Sequence, residues 1–161
     1  MDLTEEITAW HEAGHAMMAV MCGGTIERVT IEPPDDDGPV RYGDTVTRWA
    51  RMSGRQLAEA EIQVSLAGPV AEMIYSGERM ELDAVEEWSG DWATAIDAAR
   101  GLSNNESSAR KMLDKVSDDI FRTFGSPAGW AAVSAVADEL LAHETIGHEI
   151  VSEVVGFWLR R

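Results

Sequence analysis

Cysteine is almost missing from this chain of 161 residues: Cys22 stands alone, so neither an internal disulfide nor a cysteine-based zinc site can form within it. A single thiol fits a reducing compartment. Basic residues are scarce as well, with 13 Lys and Arg against 29 Asp and Glu and a formal charge of −16. That balance repels phosphate backbones and anionic lipid headgroups, so neither nucleic acid nor a membrane surface is an expected partner. Long apolar runs are lacking too: the longest, residues 16–22, falls far below the roughly 20 residues a membrane helix needs. The opening MDLTEEITAW is acidic and has no basic-then-apolar leader, which makes the cytoplasm the expected address. Also absent are a phosphate-binding loop, a dinucleotide fingerprint, internal repeats and low-complexity tracts. What remains, 45% hydrophobic and 26% charged, is the composition of a folded soluble protein, and the length is that of one domain, 1–161.

Residues 2–22 have helical periodicity, with Asp2 as a candidate N-cap, Glu5 completing a capping-box pattern and Gly23-Gly24 as the stop. TIERVTIE, residues 25–32, alternates with β-branched residues and reads as a strand ended by Pro33-Pro34. A turn at 35–38 and a returning strand over 39–47 would complete a hairpin. From Ser53 to Gly77 the apolar residues take helical spacing, and Pro69 should kink that helix or divide it in two. An irregular acidic stretch follows over 77–90, then a short helix over 91–102 starting at Ser89, Gly90 or Asp91. Further helices are expected over 106–124, 130–143 and 149–158, with GSPAG breaking the first two. The expected fold class is α+β, predominantly helical with a small sheet or hairpin. Its first part, about 1–103, carries the chemistry described next, and about 104–161 form a helical second part.

On the first helix stands His11-Glu12-Ala13-Gly14-His15, an H-E-x-x-H motif. Residues four apart share one helix face, so both imidazoles can reach one metal ion. Glu12 beside them is placed to touch a water activated by the metal, the position of a general base. Zinc in such a site lowers the pKa of water towards about 7 and polarises a scissile carbonyl, while the glutamate moves the proton to the leaving amine. A chance match is expected roughly 0.01 times at this chain's own histidine and glutamate usage. Gly14 costs a helix about 1 kcal/mol relative to alanine, so either something approaches the backbone or a second helix packs closely there. A catalytic zinc takes three protein ligands, so one more is needed. His143 and His148, five apart in a polar stretch, read as solvated surface residues. Glu72, Glu86, Glu87, Asp91 and Asp97 are the acidic candidates, and Asp91 also reads as a simple N-cap.

ITAWHEAGHAMMAV, RVTIEPP, QVSLAGPVAEMIYSG and SGDWATAIDAAR, in that order, resemble the peptidase domain of the FtsH-type ATP-dependent zinc metalloproteases. That family reads AxHEAGHA, VTIxPR, GGRxAEExxFG and TGAxND, and ELLAHETIGHEI also resembles its LLExETLxGEEI. The resemblance covers most of the chain and implies a zincin-like domain with His11, His15 and Asp91 as zinc ligands and Glu12 as catalytic base. It leaves His143 and His148 in a non-catalytic segment. Pro69 and Met73 replace the family's Arg and second Glu, leaving Glu72 as the matched carboxylate. TGAxND is reduced to WSGD, and GLSNNESS is a shortened form of the segment that follows. The family's ATPase module has no counterpart here, so the expectation is a stand-alone peptidase domain that does not unfold substrates itself, with a separate ATPase as a compatible partner.

The implied function is zinc-dependent endopeptidase activity on unfolded or flexible polypeptides. The alternatives are a zinc-bound, catalytically weak interaction or adaptor module and a regulatory peptidase that cuts one partner. A sheet edge at 25–32 or 40–47 would pair with an extended peptide and make recognition backbone-driven. The tryptophans and Met17, Met18 and Met21 read as packing residues, Trp88 and Trp92 also as pocket walls, and Cys22 as a buried small side chain.

Overall fold

The computed structural model describes residues 3–33 and 42–159. Its elements are α1 (Leu3–Met21), β1 (Thr25–Thr30), β2 (Asp44–Arg48), α2 (Gly54–Ser76), a 3-10 turn (Glu86–Trp88), α3 (Ser89–Gly101), α4 (Glu106–Gly125), α5 (Pro127–His143), β3 (Thr145–Ile146) and α6 (His148–Leu159). The class is α+β and predominantly helical, with a three-stranded antiparallel sheet ordered β2-β1-β3. Asp2 and the turn expected at 35–38 lie outside the described residues.

α1 is the central helix. From Glu12 to Val20 every side is buried, against α2 and α5 and the sheet, which is why its sequence is apolar almost all round beyond the motif. Gly23 ends it in the left-handed region at φ 92°, with Gly24 N–H donating to Ala19 O and Gly23 N–H to Val20 O, a Schellman arrangement. A Cβ at Gly14 would come within 2.5 Å of Ala67 O and 2.7 Å of Ala71 Cβ. Close packing of α1 on α2 therefore accounts for that glycine. Met17 and Met18 are buried, Met21 instead faces solvent, and Cys22 is half-buried.

α2 opens with a capping box, Ser53 accepting from Gln56 N–H while the Gln56 side chain accepts from Ser53 N–H, each at 3.1 Å. Pro69 does not divide it: the helix runs unbroken to Ser76. α3 begins at Ser89 with Trp88 at its N-cap and no side-chain cap bond, so Asp91 is in the first turn and is not the cap. The break between α4 and α5 is a single residue. Ser126 caps α5 by accepting from Gly129 N–H, and Pro127 at the first helical position starts the helix three residues before the expected Trp130.

β3 was not legible beforehand, and it changes the topology. β1 pairs with β2 on one side and, through Val29 and Thr30, with β3 on the other. Among the described residues β1 is thus interior, and of the two segments expected to offer an edge to a peptide only β2 lies at the margin of the sheet. His148 is not a solvated residue either: its Nδ1 accepts from Ile26 N–H at 3.1 Å, fastening the start of α6 to β1. One continuous core, with Phe124, Met17, Leu66, Leu113, Leu140 and Val151 at 2% exposure or less, joins both parts of the chain. No helix of the described residues is long and apolar enough to cross a membrane.

Candidate metal centre

A cleft of about 540 Å³ opens between α1, α2, β2 and the start of α3, and His11, Glu12 and His15 form its floor. These three offer ligand atoms within 4.8 Å of one another and could hold a metal ion. Asp91, from the first turn of α3, reaches the same point: its Oδ2 lies 3.0 Å from His11 Nε2 and 3.2 Å from His15 Nε2, and the two Nε2 atoms are 3.0 Å apart. Three ligand atoms held tetrahedrally by zinc at about 2.0–2.1 Å stand about 3.3 Å apart. The observed triangle is therefore nearly of that size.

The hydrogen bonds behind the rings decide what the triangle is made of. His15 Nδ1 lies 2.6 Å from Val64 O, and a carbonyl can only accept, so Nδ1 carries the proton. His11 Nδ1 lies 2.8 Å from a carboxylate oxygen of Glu72, with the same consequence. In their neutral forms both rings then turn an Nε2 lone pair towards each other and towards the Asp91 carboxylate. Three electron-rich atoms about 3 Å apart repel unless a positive charge lies among them. Burial opposes a charge on His11, but its bonds to Asp91 and Glu72 hold its pKa well above the ordinary value. Burial likewise opposes a charge on His15, but the Asp91 charge, the Asp91 hydrogen bond and the Glu12 charge together raise its pKa. Burial pushes Asp91 up, yet the His15 charge and the His11 hydrogen bond hold its carboxyl well below the usual carboxylate range. The donor set, two imidazoles and a carboxylate, fits a borderline cation such as zinc.

The sequence supplies the room for this. A Cβ at Gly68 would overlap His15 Nε2 and fall 2.6 Å from Cε1 and 2.7 Å from Cδ2.

Of the other acidic candidates, Glu72 sits behind His11 and not at the triangle, where it also accepts from Trp88 Nε1 at 2.8 Å. Glu87 lines the cleft wall, Glu86 is exposed beside it, and Asp97 is exposed on α3 outside the cleft. His143 is exposed, 3.4 Å from Glu139. Trp88 is buried in the cleft wall, whereas Trp92 lies under the Arg110 guanidinium, 5.4 Å from its ring centroid. The sequence signal for Glu72 is its match to a carboxylate of the GGRxAEExxFG pattern. Groups that orient a ligating imidazole typically contribute 10–100-fold to metal affinity. Glu72→Gln should therefore weaken zinc binding about tenfold or more in competition with a chromophoric chelator, and wild-type affinity would detach Glu72 from the ring's orientation.

Glu12 is 4% exposed, and burial raises its pKa. Its Oε1 accepts from the Thr45 hydroxyl at 3.2 Å. Neither a family model nor a curated protein matches the chain.

Proposed function

We propose that this chain is a zinc-dependent endopeptidase of the FtsH-peptidase type, with a zincin-like domain, acting on unfolded or flexible polypeptides. The observation that carries the reading is the convergence of the His11, His15 and Asp91 donor atoms, each oriented from behind or by its helix, with a buried carboxylate beside them. His11, His15 and Asp91 would hold one zinc ion. When bound there, zinc supplies Lewis acidity, making water more acidic and a peptide carbonyl more electrophilic.

Everything else falls to the chain. Val64 O and Glu72 fix the two imidazole tautomers, so that both Nε2 atoms stay available. Glu12 takes a proton from the attacking water as the C–O bond forms. It then gives that proton to the amide nitrogen as the C–N bond breaks, leaving a carboxylic acid and an amine. The outer edge of β2, whose Asp44 and Thr45 line the cleft, offers backbone groups to an extended segment. Main-chain pairing of that kind tolerates many sequences, and a separately encoded ATPase would be one source of unfolded substrate. A structural zinc site has no use for a base beside an open coordination position, which favours an enzyme over an adaptor.

The test is metal content by elemental analysis together with hydrolysis of an unfolded fluorogenic protein, on wild type and Asp91→Ala. One zinc per chain, its affinity lowered at least about tenfold in the variant, and turnover that stops with a chelator and returns with zinc are expected. Bound zinc with no turnover of any unfolded protein would replace the peptidase with the interaction module. Absence of zinc from protein prepared without chelators would overturn the metal centre as well.

A further inference from the structure

We propose that Thr45 is a positioning residue for Glu12, aiming the carboxylate from the strand beside which the substrate would lie. The inference rests on the peptidase reading above and adds to it a residue that no motif marks.

A glutamate side chain has three torsions, and a base acts only if its carboxylate points at the proton it must take. The helix fixes where Glu12 starts, not where its carboxylate ends. Two features of β2 and the residues leading into it determine the rest. The Thr45 hydroxyl donates to Oε1 at 3.2 Å, which engages one carboxylate oxygen and leaves Oε2 for the reaction. At Gly43 the chain comes so close that a Cβ would lie 2.9 Å from Glu12 Cγ and 2.9 Å from Thr8 Cγ2. Glu12 Cγ and Thr8 Cγ2 thus fill the space that a side chain at position 43 would need, so the stem of Glu12 has its place only beside a glycine. Thr45 is itself fixed by register, paired with Val29 of the interior strand β1. The edge strand thus presents backbone on one side and orients the base through a side chain.

Threonine and valine have the same shape, so Thr45→Val removes the donor and leaves the packing. In the zinc-loaded protein kcat should fall about tenfold, a fraction of what a general base contributes, with KM and zinc affinity within twofold of wild type. Thr45→Ser should restore at least half of the lost kcat. A readout independent of turnover is a melting-temperature cycle of Thr45→Val, Glu12→Ala and the double variant. If the two side chains are bonded, the double variant loses less than the sum of the single losses.

A rise in KM at constant kcat would assign Thr45 to peptide binding and overturn the proposal, as would loss of zinc from Thr45→Val. Additive melting shifts would overturn it too. If wild type binds zinc but hydrolyses nothing, the peptidase reading fails by itself, and the melting cycle still decides whether Thr45 holds Glu12.

Discussion

Glu12→Gln should keep zinc and lose hydrolysis. Glutamine has the size of glutamate and its carbonyl oxygen can still accept from the Thr45 hydroxyl, so the cleft floor keeps its shape. An amide cannot take a proton from water, however, and general-base catalysis is typically a factor of 10²–10⁴. A fall in kcat of at least about 10³ is expected, with zinc affinity changed no more than about threefold. The comparison also decides between two ligand sets, since Glu12, His11 and His15 offer ligand atoms within 4.8 Å of one another. If Glu12 were the third ligand, Glu12→Gln would release zinc and Asp91→Asn would not. The distances favour Asp91, whose Oδ2 stands 3.0 and 3.2 Å from the two imidazole nitrogens. Equal turnover by Glu12→Gln and wild type would remove the base from the mechanism.

Local signals made much of this molecule legible. Each helix is visible because its periodicity and stop signals sit within a few residues: the apolar spacing from Ser53 to Gly77, Gly23-Gly24 closing α1, Asp91 near the start of a helix. The H-E-x-x-H spacing carried its geometry with it, since a helix turn alone puts His11 and His15 on one face. What escaped depends on residues far apart. β3 is two residues long and exists because Val29 and Thr30 find partners about 115 positions later, which no local propensity reports. His148 looked like a surface histidine because its acceptor role faces Ile26 on another element. Glu72 matches a carboxylate of the GGRxAEExxFG pattern, but its meeting with the second nitrogen of His11 depends on α2 packing on α1. Pro69 should break a helix by local rules, yet packing of α2 against α1 and α3 keeps that helix whole. Ser126 and Pro127 did carry a local signal, an N-cap followed by proline. It was obscured by the flanking glycines Gly125 and Gly129, one of which packs within the first turn of α5.

Gly68→Ala sets two physical effects against each other with opposite signs. Alanine favours a helix interior over glycine by about 1 kcal/mol, so propensity alone predicts a more stable α2. The new methyl group, however, would occupy the space of the His15 ring, 2.6 Å from Cε1 and overlapping Nε2. The ring cannot slide away freely, because Nδ1 is held at 2.6 Å by Val64 O and the residue is 7% exposed. Overpacking a fixed ring costs about 1–3 kcal/mol, which cancels or exceeds the propensity gain, so the urea midpoint should shift little or fall. Metal binding has no such compensation. Displacing one imidazole by an ångström takes away a ligand, and zinc affinity should fall at least about 100-fold, with hydrolysis lost at substoichiometric zinc. Gly156→Ala, on α6 where a Cβ meets nothing within 4 Å, provides the propensity effect alone and should leave zinc untouched. Wild-type zinc affinity in Gly68→Ala would mean that His15 does not lie on Gly68 when the metal is bound. Loss of zinc at a preserved urea midpoint would show that this glycine is kept for the metal's histidine and not for the helix.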